Sequence, residues 1–237
     1  MDWESIKKVT GILFEYLPNT LKLFAVTLTF AIPVGMLVTM LKKCRFKPVS
    51  WLTNLYILIM RGTPLMLQII AIYYAIPMLK ANFSKQGTSG WFASFINGID
   101  TRSESYMFTA LCVAFVLNYA AYFAEIFRGG VDSIPKGQYE AASMLGMTKT
   151  QTFVRIILPQ VTKRVIPATS NEVITLVKDT SLANIIAYAE ITMKAKQQMN
   201  TYSSILPLFI AGLFYFVLNA VVTVVFALIE KKFNYYK

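Results

Sequence analysis

The chain has 237 residues, 56% of them hydrophobic and 15% charged, with a mean hydropathy of +0.52. Soluble domains run at about 45–50% apolar and about 25% charged, so an ordinary soluble fold is excluded and an α-helical integral membrane protein is expected. The net charge of +11 then reads as loop charge on one side of a bilayer, with no nucleic-acid partner implied.

The chain opens with MDWESIKKV. Its acidic residues, and the lack of an early apolar core followed by a small-residue cleavage site, argue against a secretory signal. Residues 1–17 read instead as a short amphipathic lead into a first span over 19–41, close to the roughly 20 apolar residues that a crossing needs. Residues 42–50 form a basic loop that holds Cys44. WLTNLYILIM, residues 51–60, is amphipathic, and Thr63-Pro64 resembles a helix start with proline in its first turn. Residues 51–60 are therefore either an interfacial helix or the lower part of one long helix that continues into a second span over 62–80. A long loop, 80–104, leads to a third span over 105–128, which contains Cys112. The placement of the two cysteines does not favour a disulfide. The fourth span, 163–180, is the weakest by hydropathy, because Asn171, Glu172, Lys178 and Asp179 interrupt it. The fifth covers 203–230. No repeat or Ser/Gly-rich linker divides the chain, so 1–237 reads as one membrane domain.

Five spans put the two ends on opposite sides. Residues 42–50, 128–164 and the tail from 230 hold thirteen of the 23 Lys and Arg; residues 1–17, 80–104 and 178–200 hold eight, offset by seven acidic residues. The excess makes the first set cytoplasmic, with the N-terminus outside and the C-terminus inside.

The longest loop on that inner side, 128–164, carries a patterned stretch. Pro135 opens a short helix over 138–145, and Gly146 ends it by adopting φ > 0. Thr148-Lys149-Thr150-Gln151 is a capping box that starts a second helix, with Phe153 and Ile157 on one face and Pro159 as its stop. The result is two short helices at a rigid elbow, whose first arm offers Ala141, Ala142, Met144 and Leu145 as an apolar knob for a groove on another protein. An amphipathic helix lying on the membrane surface is the plainer alternative.

The histidine count is zero, which removes His-based acid–base catalysis and most zinc sites. No Gly-x-x-x-x-Gly-Lys-Ser/Thr loop occurs, so the chain lacks the usual cradle for the phosphates of ATP. Neither enzymatic activity nor a bound metal is expected of it. A stand-alone secondary transporter usually carries internal repeats, and none is visible.

The spacing Glu140-Ala141-Ala142, three residues, Gly146, nine residues, Ile156-x-Leu158-Pro159 resembles the EAA loop of permease subunits of ABC importers, with every fixed position filled. Arg61-Gly62-Thr63-Pro64-Leu65 with Gln68, residues 119–130 (YAAYFAEIFRGG), residues 134–138 (IPKGQ) and residues 178–182 (KDTSL) are similar to the polar amino acid branch, that of histidine, glutamine, arginine and cystine permeases. The likeness covers residue 18 to the end, and the long loop 80–104 departs from it. The resemblance implies the type I ABC importer permease fold in a bacterial plasma membrane. It implies an identical or sister permease as partner, and two ATPase subunits whose grooves receive the elbow, coupling-loop residues 138–160. It also implies an extracytoplasmic substrate-binding protein that delivers an amino acid. ATP and magnesium would be bound by the ATPase, with no cofactor in this chain.

Polar groups inside a bilayer are costly and usually face the bundle interior or a water cavity. On the fourth span Ala168, Glu172, Thr175 and Asp179 fall at i, i+4, i+7 and i+11, flanked by Asn171 and Lys178. Asn171 and Glu172 are expected to line a pathway near the midplane, with Glu172 meeting a substrate ammonium or a basic side chain; a structurally paired carboxylate is the alternative. Residues 178–181 end the span, either as a helix cap or as an outer gate. On the third span Asn118, Tyr122 and Glu125 share a face, and Glu125 and Arg128 are spaced for a structural ion pair. Arg61 either anchors at the cytoplasmic interface, on lipid or a neighbouring carboxylate, or lies deeper with a partner. Gln68 is a further pathway candidate. Methionine and aromatic residues elsewhere read as packing and lipid-facing surface.

Overall fold

The computed structural model describes residues 1–87 and 90–233, and no strand occurs among them. The last four residues of the tail, 234–237, and residues 88–89 of the loop 80–104 lie outside the described residues.

Helix α1 runs without interruption over Trp3–Lys42, about 60 Å at 1.5 Å per residue. Residues 3–17 are thus the N-terminal end of the first helix, not a separate lead-in. Asp2 caps it by accepting from Ser5 N at 3.2 Å, and Val9 and Leu13 bury against Ile191, Ala195 and Ala211. The helix continues through Pro18, which leaves one backbone carbonyl without its helical donor.

Helix α2 spans Lys47–Gly62 and α3 spans Leu65–Gln86, separated by Thr63 and Pro64 in extended conformation. The lower segment is therefore a helix of its own, and the second apolar helix runs over 65–86 instead of 62–80. The loop after it holds a short helix, α4, Trp91–Gly98. Lys80 Nζ donates to the carbonyls of Asn97, at 3.1 Å, and Ile99 at the end of α4, where a cation suits the helix dipole.

Helix α5, Glu104–Asp132, is the central post. It starts at Ser103, whose hydroxyl accepts from Tyr106 N at 3.2 Å, and it buries Leu111, Phe115, Tyr119 and Phe123 among residues of α1, α3 and α8. Small residues let its neighbours close in, the usual device between helices in a membrane. A Cβ on Gly35 of α1 would lie 2.8 Å from Cβ of Phe123, and a Cβ on Gly130 would collide with the Val165 side chain. Thr39 of α1 crosses this seam to donate to Ala124 O at 3.0 Å.

Helix α6, Lys136–Met144, and α7, Lys149–Thr152, form the elbow. Pro159 does not stop the second arm. A wide π turn over Phe153–Ile157 comes after α7, and α8, Leu158–Asp179, continues from it with Pro159 in its first turn. Leu158 N–H bonds back to Phe153 O, five residues earlier. This wider turn makes room for the proline ring, which would otherwise clash with the carbonyl four residues before it. The segment expected as a fourth span, 163–180, accordingly falls within a helix that begins at 158 and ends at Asp179, with Thr180 in the 3₁₀ segment that follows.

A 3₁₀ segment, Thr180–Ile186, ends α8. Helices α9, Ile191–Tyr202, and α10, Leu206–Phe233, close the chain. Glu190 caps α9 while fully buried, accepting from Thr192 N and Met193 N at 2.7 Å each and from Tyr215 Oη at 2.8 Å. Among the described residues four helices are long and apolar enough to cross a membrane: α1, α3, α5 and α10. Helix α8 has 22 residues, enough for about 33 Å, but its polar face keeps it out of that group.

Candidate functional site

The break between α2 and α3 builds one wall of a cleft. Pro64 has no N–H to give to Met60 O, so that carbonyl needs other donors. Gln68 Nε2 and Asn118 Nδ2 both supply it, at 3.0 Å each. Asn118 also donates to Gln68 Oε1 at 3.0 Å, and Gln68 donates to Thr63 Oγ1 at 2.8 Å. Gln68 and Asn118 are thus engaged in closing the break.

Beside it lies a cleft of about 430 Å³ lined by Thr63, Pro64, Leu65, Met66, Asn118, Tyr119, Tyr122, Glu172, Thr175, Asp179 and Leu182. Of the seven residues singled out for a pathway, five line it: Asn118, Tyr122, Glu172, Thr175 and Asp179. Gln68 stands behind the wall. Asn171 is exposed on the neighbouring face of α8, with Pro167, Ala168 and Lys178. Thr175 Oγ1 is turned back to Asn171 O at 3.0 Å. Tyr119, which sequence reasoning passes over, is buried and donates to Asp179 Oδ2 at 2.7 Å. Its adjacency to Asn118 and its three-residue spacing to Tyr122 are the available signal. The 178–181 stretch forms the helix end, with Thr180 Oγ1 donating to Val177 O at 2.7 Å.

Below the cleft is a basic cluster. Glu125, 14% exposed, accepts from Lys42 of α1 and from Arg128 at 2.7 Å, and Arg61 NH1 stands 4.0 Å away. Arg61 also lies over the Tyr122 ring, 5.3 Å from its centroid. Asp132 pairs with Lys43 at 2.7 Å and Arg128 at 3.0 Å. Arg61 therefore turns to a neighbouring carboxylate, and Glu125 serves three cations from three helices. A second cavity of about 430 Å³ lies here, lined by Lys42, Asn54, Ile57, Leu58, Arg61, Gly62, Tyr122 and Glu125.

The elbow is tightly specified. Met147 N–H bonds to Ala142 O at 3.1 Å and Gly146 N–H to Ser143 O at 3.0 Å, with Gly146 at φ +68°. That pair of hydrogen bonds is the left-handed stop that favours glycine. Across it, Thr148 N–H donates to Gln151 Oε1 at 2.9 Å and Gln151 N–H to Thr148 Oγ1 at 3.3 Å, a reciprocal cap. Met144 is 89% and Leu145 78% exposed, and Glu140 and Ala141 are exposed beside them. Ala142 is fully buried, so it shapes the knob from inside and is not presented on it. Ile134, Ile157, Val161 and Val165 root the elbow against Ile126 and Phe127 of α5. The helices that carry Tyr122 and Glu172 are the ones the elbow is built on.

Comparison with known proteins fits this geometry. The family described as binding-protein-dependent transport system inner membrane component matches residues 31–235. The arginine transport system permease protein ArtQ of Bacillus subtilis (strain 168) is 34% identical over 221 residues, 93% of this chain and 91% of its own length. The L-cystine transport system permease protein TcyB of the same organism is 31% identical over 219 residues, 92% of this chain and 84% of its own. A crystal structure of an amino acid ABC transporter with histidines aligns with a TM-score of 0.80 at 30% identity, over 98% of this chain and 99% of that one. With the matched family spanning most of its length and an all-helical permease fold of type I, the chain belongs to the binding-protein-dependent transport system inner membrane components, the permease subunits of ABC importers.

Proposed function

We propose that this permease subunit passes an amino acid through the cleft between α3, α5 and α8, driven by ATPase subunits that grip the elbow. The observation that carries the reading is the convergence of Glu172 and Asp179 with Asn118 and Tyr122 on one cleft, in a fold whose relatives are named for arginine and L-cystine transport. Two carboxylates in a low-dielectric cleft suit an ammonium group. The substrate class is therefore an amino acid, held by its α-ammonium or by a basic side chain.

In this reading the membrane is crossed five times, with α8 as the fourth crossing beside α1, α3, α5 and α10. The bilayer tolerates the polar face of α8 because that face borders the cleft and a second permease subunit, identical or sister, against the exposed Pro167, Ala168 and Asn171. The Lys and Arg excess in 42–50, 128–164 and the tail supports a cytoplasmic elbow, with the N-terminus outside. The whole chain acts as a single translocating domain. An extracytoplasmic binding protein delivers substrate. ATP and magnesium belong to the ATPase pair, and this chain contributes motion without chemistry. ATP binding draws the two elbows together, and α5 and α8 carry that displacement to the cleft, turning it from inward-facing to outward-facing.

The test is uptake by the assembled importer in proteoliposomes, competed with a panel of amino acids. Glu172→Gln is expected to lower uptake at least tenfold while ATPase subunits still co-purify, a loss of about 1.4 kcal/mol or more in substrate stabilisation. Unchanged uptake in that variant would remove Glu172 from the pathway. Inverted labelling of Lys149 relative to Lys7 in sealed vesicles would reverse the orientation.

A further inference from the structure

The cleft and the basic cavity below it share one lining residue, Tyr122. The cleft above carries Glu172 and Asp179; the cavity below carries Lys42 and Arg61 around Glu125. The sign of the charge changes across one aromatic ring. Arg61 lies on that ring, 5.3 Å from its centroid, and is the loosest of the three cations around Glu125: it stands at 4.0 Å, while Arg128 is bonded at 2.7 Å and Lys42 is also in direct contact. It is also the last charged residue of α2 before the extended Thr63-Pro64 link, so its backbone is fixed while its side chain is half free.

We propose that Arg61, laid over Tyr122, is the movable floor of the cleft, closing the way into the basic cavity and opening it by swinging toward Glu125. This rests on the transport reading above and adds an exit route within a single chain. Geometry suits the role on three counts. Tyr122 lines both cavities, and Gly62 in the lining of one directly precedes Thr63 in the lining of the other. Glu125 is already satisfied by Lys42 and Arg128, so Arg61 is not needed there to balance a buried charge. The caps on Met60 O from Gln68 and Asn118 hold the last turn of α2 in place, so motion is left to the side chain. A departing amino acid would present its carboxylate to Arg61 and Lys42 once its ammonium leaves the two acidic residues.

The experiment uses the assembled importer in inside-out vesicles, in a Cys44→Ser, Cys112→Ser background with Met66→Cys as a reporter in the cleft. Labelling by a membrane-impermeant thiol reagent is followed with a non-hydrolysable ATP analogue present. The parent is expected to label slowly. Tyr122→Ala and Arg61→Ala are expected to label about tenfold faster, the change in open population for losing one ring–cation contact together with one loose ion pair. Tyr122→Phe keeps the ring and is expected to stay slow, which separates a floor from general loosening. A parent that labels as fast as the alanine variants, alanine variants as slow as the parent, or a Phe variant as fast as Ala would each overturn the floor. ATP-driven release of amino acid from vesicles preloaded with substrate and its binding protein is measured on the unmodified complex in a parallel portion of the same preparation, with ATP in place of the analogue. Its absence overturns the transport reading; its presence with unaltered labelling overturns the floor alone.

Discussion

Tyr119 of α5 donates its hydroxyl to Asp179 of α8 at 2.7 Å, beside the buried Phe115, Phe123, Val173 and Leu176 of the same two helices. The bond aims one of the two cleft carboxylates and ties the central post to the end of the polar helix. Tyr119→Phe removes only the hydroxyl. The expected result is a several-fold higher KM for uptake with a nearly unchanged folded population, because the carboxylate keeps its charge and loses its orientation. Uptake kinetics alongside a thermal melt of the purified protein check this. An unchanged KM would make the bond purely architectural.

The Glu125 cluster predicts an asymmetry. One carboxylate serves Lys42, Arg61 and Arg128. Removing a single half-exposed cation, as in Arg128→Gln, should cost under about 1 kcal/mol, since partly exposed pairs contribute little. Glu125→Gln leaves three cations facing one another and should cost more, on the order of 1–3 kcal/mol. The same ordering should shrink in high salt. Melting temperatures at two ionic strengths measure it.

The knob on the elbow predicts graded loss of ATPase binding. Met144 and Leu145 are the two most exposed apolar side chains there. Burying one of them is worth about 1.5–3 kcal/mol, so Leu145→Asp should weaken ATPase association by about ten- to a hundredfold. Deleting residues 140–146 should abolish it while the protein still inserts in the membrane. Co-purification of the ATPase with the deleted protein would defeat the coupling.

Helix contact through glycine predicts cost without chemistry. Gly130 faces Val165 and Val161, and Gly35 faces Phe123, with no room for a Cβ at either. Gly130→Ala and Gly35→Ala should each destabilise the fold by about 1–3 kcal/mol through overpacking. Gly129, next in the chain and with open space around it, should tolerate alanine. Thermal stability of the three variants in detergent separates them.

Much of this architecture is legible in the chain because it rests on local rules. The capping box at Thr148 and the left-handed stop at Gly146 are short-range signals that the structure realises; the punctuation at Thr63-Pro64 also marks a helix start, with Pro64 extended just before α3 and not in its first turn. The apolar helices emerge from run length. What stays hidden is non-local or compensated. Pro159 reads as a stop because the rule for it assumes a regular helix, and a wide turn lifts that clash. Residues 1–17 read as a separate segment because the partners of Val9 and Leu13 lie some 180 residues away, on α9 and α10. In the cleft, helical spacing places Glu172, Thr175 and Asp179 together. It cannot tell which side of the stripe faces inward, so Asn171 falls outside. Gln68 stands apart from the cleft lining for a different reason: its amide bonds to a carbonyl that only the three-dimensional break orphans. Tyr119 reads as an ordinary aromatic until α8 supplies its acceptor.

The wide turn before Pro159 has one more effect. A π turn is a helix with a surplus residue, and each residue advances the azimuth of the helix beyond it by about 100°. Everything downstream on α8 is phased by that surplus, including the compass bearing of Glu172 and Asp179, more than a dozen residues above. The turn that accommodates a proline at one end of the rod therefore sets which way its acids point at the other.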